Sequence, residues 1–122
     1  MKIKSLLVLL TLGLSACTGG KYAGVPKQYN ELISQTMQTA GDNAKELRKA
    51  LKQAPTTQRE GMAFLISYMP ERDAKALTAD FLLENVDYAY KARAEFPWAK
   101  EVPNDIFLND AVAYVNLNEK RE

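Results

Sequence analysis

The chain of 122 residues is 47% hydrophobic and 25% charged, a balance typical of one globular domain. Its 16 basic and 15 acidic side chains leave a net charge of +1, so we expect no nucleic-acid partner. The sequence contains no histidine and a single cysteine. These counts exclude Ser-His-Asp and Cys-His catalysis, zinc sites built on histidine or cysteine, and an intrachain disulfide. The sequence also lacks the spacing of a calcium loop and a glycine-rich phosphate loop, so we expect no cofactor and no metal site. Apart from the carboxylates considered below, we expect no catalytic residue.

The first part of the chain has the pattern of a signal peptide. Lys2 and Lys4 precede an apolar run from Ser5 to Ala16, which as a helix reaches about 18 Å, short of the roughly 30 Å hydrocarbon core of a bilayer. The run ends in Leu14–Cys17, which resembles a bacterial lipobox, where the cysteine is acylated and becomes the new N-terminus. We predict a cleaved signal peptide over residues 1–16 and lipidation of Cys17. The alternative is an ordinary secretory signal that leaves Cys17 as a free thiol.

The residues after Cys17 predict a location and a domain boundary. Thr18 is not the aspartate that holds lipoproteins at the inner membrane in well-studied envelopes, and no acidic cluster follows it. We expect a cell-envelope protein that acylated Cys17 anchors to the lipid bilayer, at the outer membrane and facing the periplasm. Residues 17–25 contain three glycines and predict a flexible tether, and residues 26–122 form the folded domain.

The folded domain is predicted to be all-α. From Pro26 onward the apolar residues recur with a period of 3.6, and nothing alternates with period 2 for long enough to indicate a sheet. The residues predicted to end successive helices are Gly41, Pro55, Pro70 and Pro97. Their spacing predicts a compact bundle of about five helices, with short connections that favour antiparallel neighbours.

The helix starts are predicted from capping signals. Asn43 with Glu46 and Thr57 with Glu60 each have the spacing of a capping box. Thr78 is predicted to cap the longest helix, which runs to about Phe96 and is apolar over most of its circumference, so we expect it to be the central element. A last helix is predicted to begin at Pro103-Asn104.

Three carboxylates on the longest helix are the only candidates for acid–base chemistry. Asp80, Glu84 and Asp87 lie on one helical face, and a catalytic pair there would converge in a cleft with raised pKa values. The alternative is a solvated strip in which Asp87 and Lys91 form an i,i+4 ion pair.

Aromatic residues are concentrated in the second half of the chain. Nine of the eleven lie between Phe64 and Tyr114, and most are expected in the core. Trp98 is the exception, because it follows Pro97 and precedes a charged loop. We predict an interaction surface that includes Trp98, Phe107 and Tyr114.

The second half also carries a resemblance to a known family. The residues concerned are Gly61–Ile66, Met69–Asp73, Leu77–Val86, Ala89–Arg93, Pro97-Trp98, Val102-Pro103 and Asp105–Asn109. In order and spacing they are similar to the N-terminal helical region of bacterial transglutaminase-like proteins, over roughly residues 45–119. In that family the helical region precedes a papain-like core with a catalytic triad of Cys, His and Asp.

The resemblance implies a helical domain without the catalytic core. None of the 122 residues supplies the triad, and Cys17 has no histidine to activate it. The implied function is therefore non-catalytic, with a transglutaminase-like core or another envelope protein as partner and an exposed apolar patch near Trp98. The alternative is a complete envelope lipoprotein that binds a small peptide or glycan through its aromatic-rich half.

Overall fold

The computed structural model describes residues 21–112. Its helices are α1 (Asn30–Ala40), α2 (Ala44–Gln53), α3 (Arg59–Ser67), α4 (Glu71–Ala74), α5 (Ala79–Glu95) and α6 (Asn104–Ile106), which continues as a π-helical segment (Phe107–Val112). Short 3₁₀ turns occupy Lys27–Tyr29, Gly41–Asn43, Thr56–Gln58 and Pro97–Glu101. These residues contain no strand, which confirms the predicted all-α bundle.

The predicted breakers lie at the ends of the helices. Gly41 follows α1 with a φ of +58°, in the left-handed region that favours glycine. Prolines at positions 55, 70 and 97 lie shortly after α2, α3 and α5, where their rings prevent the helix from continuing. None of the helices between residues 21 and 112 combines the length and apolar composition needed to cross a bilayer.

One hydrophobic core joins all the long helices. The largest fully buried side chains are Ile33, Leu47, Met62, Ile66, Leu82, Val86 and Val112. Six of the nine residues of α3 are buried, against four of the seventeen in α5. The prediction that α5 is the central element is therefore wrong, and α3 holds that position. The reason is that apolar side chains counted toward its circumference, such as Phe81 and Phe96, are 39% and 46% exposed.

The predicted capping box at the start of α2 is wrong, because both of its side chains reach a different part of the chain. Asn43 Nδ2 donates hydrogen bonds to the carbonyl oxygens of Ala74, at 2.8 Å, and Leu77, at 2.9 Å. Glu46 Oε2 accepts a hydrogen bond of 2.8 Å from the backbone N–H of Ala79. The pair therefore fastens α2 to the connection between α4 and α5. At the start of α5, the predicted cap by Thr78 is confirmed.

Replacing Asn43 with alanine is expected to lower the free energy of unfolding by about 1–3 kcal/mol, because two carbonyl oxygens lose their donor. Urea unfolding followed by circular dichroism measures the change. Gln53→Ala, an exposed change at the opposite end of α2, is the control and should stay within about 0.5 kcal/mol of the wild type. Equal losses in the two variants would contradict the assigned role of Asn43.

The N-terminal segment packs against the helices. Val25 is buried, and its N–H donates a hydrogen bond of 3.2 Å to the carbonyl oxygen of Tyr22. Arg59 Nη1 donates a hydrogen bond of 2.9 Å to the carbonyl oxygen of Ala23. Residues 21–25 thus differ from the flexible tether predicted over residues 17–25, because Tyr22 and Val25 add apolar surface to the core.

Candidate functional site

An open apolar groove of about 450 Å³ lies between the C-terminal half of α5 and the segment that follows it. We call it the Trp98 groove, and its apolar walls include Ala92, Phe96, Trp98, Val102, Ile106 and Ala111. The 3₁₀ turn after α5 reverses the chain at Pro97, so that α6 and the π-helical segment return alongside α5. The groove is therefore built from two neighbouring stretches of sequence.

The groove exposes three large apolar side chains. Trp98 is 67% exposed, and Phe96 and Ile106 are each 46% exposed. The rings of Phe96 and Trp98 stack with their centroids 5.9 Å apart and an interplanar angle of 26°. Isolated apolar side chains are common on protein surfaces, whereas a cluster around a concavity is typical of a binding site.

Arg93 fixes the two sides of the groove to each other. Its Nη2 donates a hydrogen bond of 3.0 Å to the carbonyl oxygen of Val102, and its Nη1 donates one of 3.2 Å to Asn104 Oδ1. Its guanidinium carbon also lies 4.3 Å from the centroid of the Phe107 ring, in a cation–π contact. These contacts hold α6 against α5, so the wall that carries Ile106 is positioned before any ligand arrives.

Of the three predicted interaction residues, the structure describes Trp98 and Phe107, and their environments differ. Trp98 lies on the surface as predicted, whereas Phe107 is only 4% exposed. Its ring packs edge-to-face on Tyr90 at a centroid distance of 5.0 Å, so Phe107 supports the floor of the groove. Phe107 thus lines the groove from below and exposes little surface, and its part in an interaction surface stays a prediction. Tyr114 lies outside the described residues.

The floor of the groove is tied to the buried helix α3 through Tyr90. The Tyr90 hydroxyl accepts a hydrogen bond of 3.1 Å from the backbone N–H of Gly61, in the first turn of α3. Thr57 makes no side-chain cap there, and Glu60 Oε1 instead accepts a hydrogen bond of 3.4 Å from Asn104 Nδ2. The predicted capping box of Thr57 and Glu60 is therefore wrong.

Burial raises the pKa of the hydroxyls of Tyr90 and Tyr29 above the ordinary value for tyrosine. A raised pKa in the folded state means that the unfolded chain loses these protons first. The two protonated hydroxyls therefore make their full contribution to the free energy of unfolding below about pH 10, the pKa of an unperturbed tyrosine. This contribution is lost as the pH rises through the pKa values of the two tyrosines in the folded protein.

We expect the free energy of unfolding to fall above about pH 10, and to fall less steeply in Tyr90→Phe, which has no proton to lose at this position. Urea unfolding at a series of alkaline pH values compares the two slopes. An identical slope in the wild type and in Tyr90→Phe would show that Tyr90 does not contribute to the loss of stability.

The carboxylates Asp80, Glu84 and Asp87 on α5 line one open concave surface, but Asp87 does not have the raised pKa that a general acid requires. Asp87 forms an ion pair with Lys91 at 2.6 Å and accepts a hydrogen bond of 3.0 Å from Gln58 Nε2. The hydrogen bond from Lys91, and then that from Gln58, lowers the pKa of Asp87. Asp80 and Glu84 are exposed. The predicted ion pair is confirmed, and the direction of the pKa shift is opposite to the one that a general acid requires.

Sequence reasoning missed three residues of the site: Phe96, Arg93 and Ile106. The exposure of Ile106 carries no sequence signal, since adjacent apolar residues of a helix can both be buried, as Leu65 and Ile66 are. The pairing of Arg93 with Val102 carries no sequence signal, because one partner is a backbone carbonyl oxygen.

Comparisons of the chain with protein-family models, with curated proteins and with solved structures find no match. Between residues 21 and 112 there is no group of three or more Cys, Asp or Glu side chains arranged to hold a metal ion.

Proposed function

We propose that the chain is a membrane-anchored helical domain, non-catalytic by itself, whose Trp98 groove docks a transglutaminase-like core. The observation that carries the proposal is the exposed cluster of Phe96, Trp98 and Ile106 around a concave surface. The resemblance of residues 45–119 to the helical region of that family supports the choice of partner. The sequence at Leu14–Cys17 supports a lipid anchor on Cys17, with the domain in the periplasm at the outer membrane.

The groove has the composition of the centre of a protein–protein interface. Tryptophan and other aromatic side chains contribute a large share of binding energy when a partner buries them completely. Both rings here are open to solvent and already stacked on each other, so binding requires little further ordering of Phe96 and Trp98. The hydrogen bonds of Arg93 likewise fix the opposite wall in advance.

Isothermal titration of the purified chain with a separately produced transglutaminase-like core tests the docking. We expect one-to-one binding with a Kd below about 10 μM, the range of a specific but reversible interface. The absence of binding at about 100 μM of both proteins would overturn the proposal.

A second candidate function rests on the size of the groove. Its volume of about 450 Å³ lies within the range of about 300–1,000 Å³ that small-ligand pockets occupy. The exposed Trp98 ring offers a flat face on which a sugar or an aromatic peptide side chain can stack. Saturable binding of a short peptide or glycan, together with no binding of the core, would favour this alternative.

A further inference from the structure

A second concave surface, of about 290 Å³, lies beside the N-terminal segment. The residues that line it are Lys21, Tyr22, Ala23, Arg48, Leu51, Lys52 and Arg59. Four of the seven are basic and none is acidic, although the whole chain is almost neutral. We call Lys21, Arg48, Lys52 and Arg59 the basic surface. Such a local excess of one charge attracts ligands of the opposite charge.

Arg59 holds the N-terminal segment at the centre of the basic surface. Its guanidinium donates hydrogen bonds to the carbonyl oxygens of Ala23, Lys52 and Ala54, at 2.9, 3.1 and 3.1 Å. Each of the three guanidinium nitrogens of Arg59 thus donates to a backbone carbonyl oxygen. Arg59 therefore adds positive charge to the surface, but other residues are better placed to contact a ligand. Lys21, Arg48 and Lys52 are exposed and can make that contact. Lys21 Nζ donates one hydrogen bond, of 3.0 Å, to Ser34 Oγ, which leaves it two further donors.

Gly24 allows the segment to approach Arg59 closely. Its φ is +75°, and a Cβ atom at this position would lie 3.0 Å from Arg59 Cδ. A positive φ combined with this close approach favours glycine over other residues. The segment therefore has a defined position, and Lys21 begins the described chain at the edge of the basic surface.

The distance from Lys21 to the proposed lipid anchor is short. Only residues 18–20 separate it from Cys17, and the four Cα–Cα steps span at most about 15 Å. If Cys17 carries its lipid in the bilayer, the Cα atom of Lys21, at the edge of the basic surface, has to lie within this distance of Cys17. The anchor therefore keeps the side of the domain that carries Lys21 close to the headgroups.

We propose that the basic surface is a membrane-docking surface that binds the phosphate groups of anionic phospholipids and orients the domain on the bilayer. This inference rests on the lipid anchor of the proposed function and adds to it a second contact with the membrane. A basic side chain near an anionic bilayer strengthens binding roughly fivefold. Lys21, Arg48 and Lys52 supply three such side chains on one face.

The test uses the protein purified from native membranes and reconstituted into vesicles. One set of vesicles contains phosphatidylcholine alone, and the other contains phosphatidylcholine with phosphatidylglycerol. An amine-acetylating reagent labels the lysines, and mass spectrometry gives the labelling rate of each. In the anionic vesicles we expect labelling of Lys21 and Lys52 to slow about fivefold or more, while Lys100, exposed and outside the basic surface, changes less than about twofold.

A variant pair makes the test specific. The double substitution Arg48→Gln and Lys52→Gln should abolish most of the protection of Lys21 in anionic vesicles. The matched control is the double substitution Lys75→Gln and Lys91→Gln, which removes two lysines that form ion pairs with carboxylates four residues earlier in the chain. In this control the protection of Lys21 should be preserved. Circular dichroism spectra identical to that of the wild type show that both variants keep the helical fold.

The outcomes separate this proposal from the one on which it rests. An intact mass without diacylglycerol on Cys17 would overturn the lipid anchor, and with it this orientation. A lipidated protein whose Lys21 and Lys52 label equally fast in both kinds of vesicle would overturn the membrane-docking surface alone. Docking of a core in the Trp98 groove would be unaffected by that second result.

Discussion

Trp98→Ala should weaken docking of a transglutaminase-like core about 30-fold or more, a loss of at least about 2 kcal/mol in binding free energy. Trp98 is 67% exposed in the free domain and forms one wall of the groove together with Phe96. A partner that fills the groove would bury the exposed surface of the Phe96 and Trp98 rings, so replacing Trp98 with alanine removes a large contact area. Isothermal titration of the variant against the core measures the change.

Tyr88→Ala is the matched control for this experiment. Tyr88 lies on α5 and is 65% exposed, almost the same as Trp98, but it is not part of the groove. We expect its replacement to change the Kd less than about twofold. If the two variants lose affinity equally, the docking surface is not the Trp98 groove.

Gly61→Ala should lower the free energy of unfolding by about 1–3 kcal/mol, because the added methyl group overpacks the contact between α3 and α5. A Cβ atom at this position would lie 2.6 Å from Tyr90 Cε2 and 2.9 Å from its hydroxyl oxygen. Tyr90 has little room to move, since its ring packs on Phe107 and its hydroxyl binds the Gly61 N–H. Urea unfolding measures the loss.

Gly61→Ala is expected to have a different effect on stability when the Tyr90 ring is absent. In a Tyr90→Ala background the clash is gone, and Gly61→Ala should be neutral or stabilising by up to about 1 kcal/mol, the ordinary advantage of alanine over glycine within a helix. A double-mutant cycle therefore isolates the contact. The same loss of stability in both backgrounds would contradict the assigned packing.

The positions where the helices end could be predicted from the sequence, because they depend on local backbone chemistry. Gly41 has the positive φ that glycine favours, and the prolines after α2, α3 and α5 stop these helices by steric exclusion. Thr78 caps α5 by a bond to a residue only three positions away. All these signals act within a few residues and need no knowledge of the tertiary structure.

The two predicted capping boxes do not form, because their side chains or backbone groups make tertiary hydrogen bonds instead of local ones. Asn43 and Glu46 have the spacing of a box, yet each bonds to backbone groups more than 30 residues away. In α3, the N–H of Gly61 is satisfied by Tyr90, 29 positions further along the chain. A sequence pattern shows which groups can bond, whereas the packing of the helices decides which of them meet.

The site could be predicted only in outline. Trp98 was identified from its position between a helix breaker and charged residues, but its stacking partner Phe96 was assigned to the apolar circumference of α5. The change to π-helical geometry at Phe107 carries no periodic signal, and it accompanies the return of the chain alongside α5. Ile106 is 46% exposed and Phe107 only 4%, although both line the groove, and this difference depends on packing.

The fluorescence of Trp98 tests the central claim most directly, because it is the only tryptophan in the chain. Titration with a transglutaminase-like core in which every tryptophan is replaced by a non-fluorescent analogue reports on this ring alone. We predict a saturable shift of the emission to shorter wavelength, as the exposed indole leaves water, with the same Kd as the calorimetric titration. Binding of the core with unchanged Trp98 emission would contradict docking in the groove.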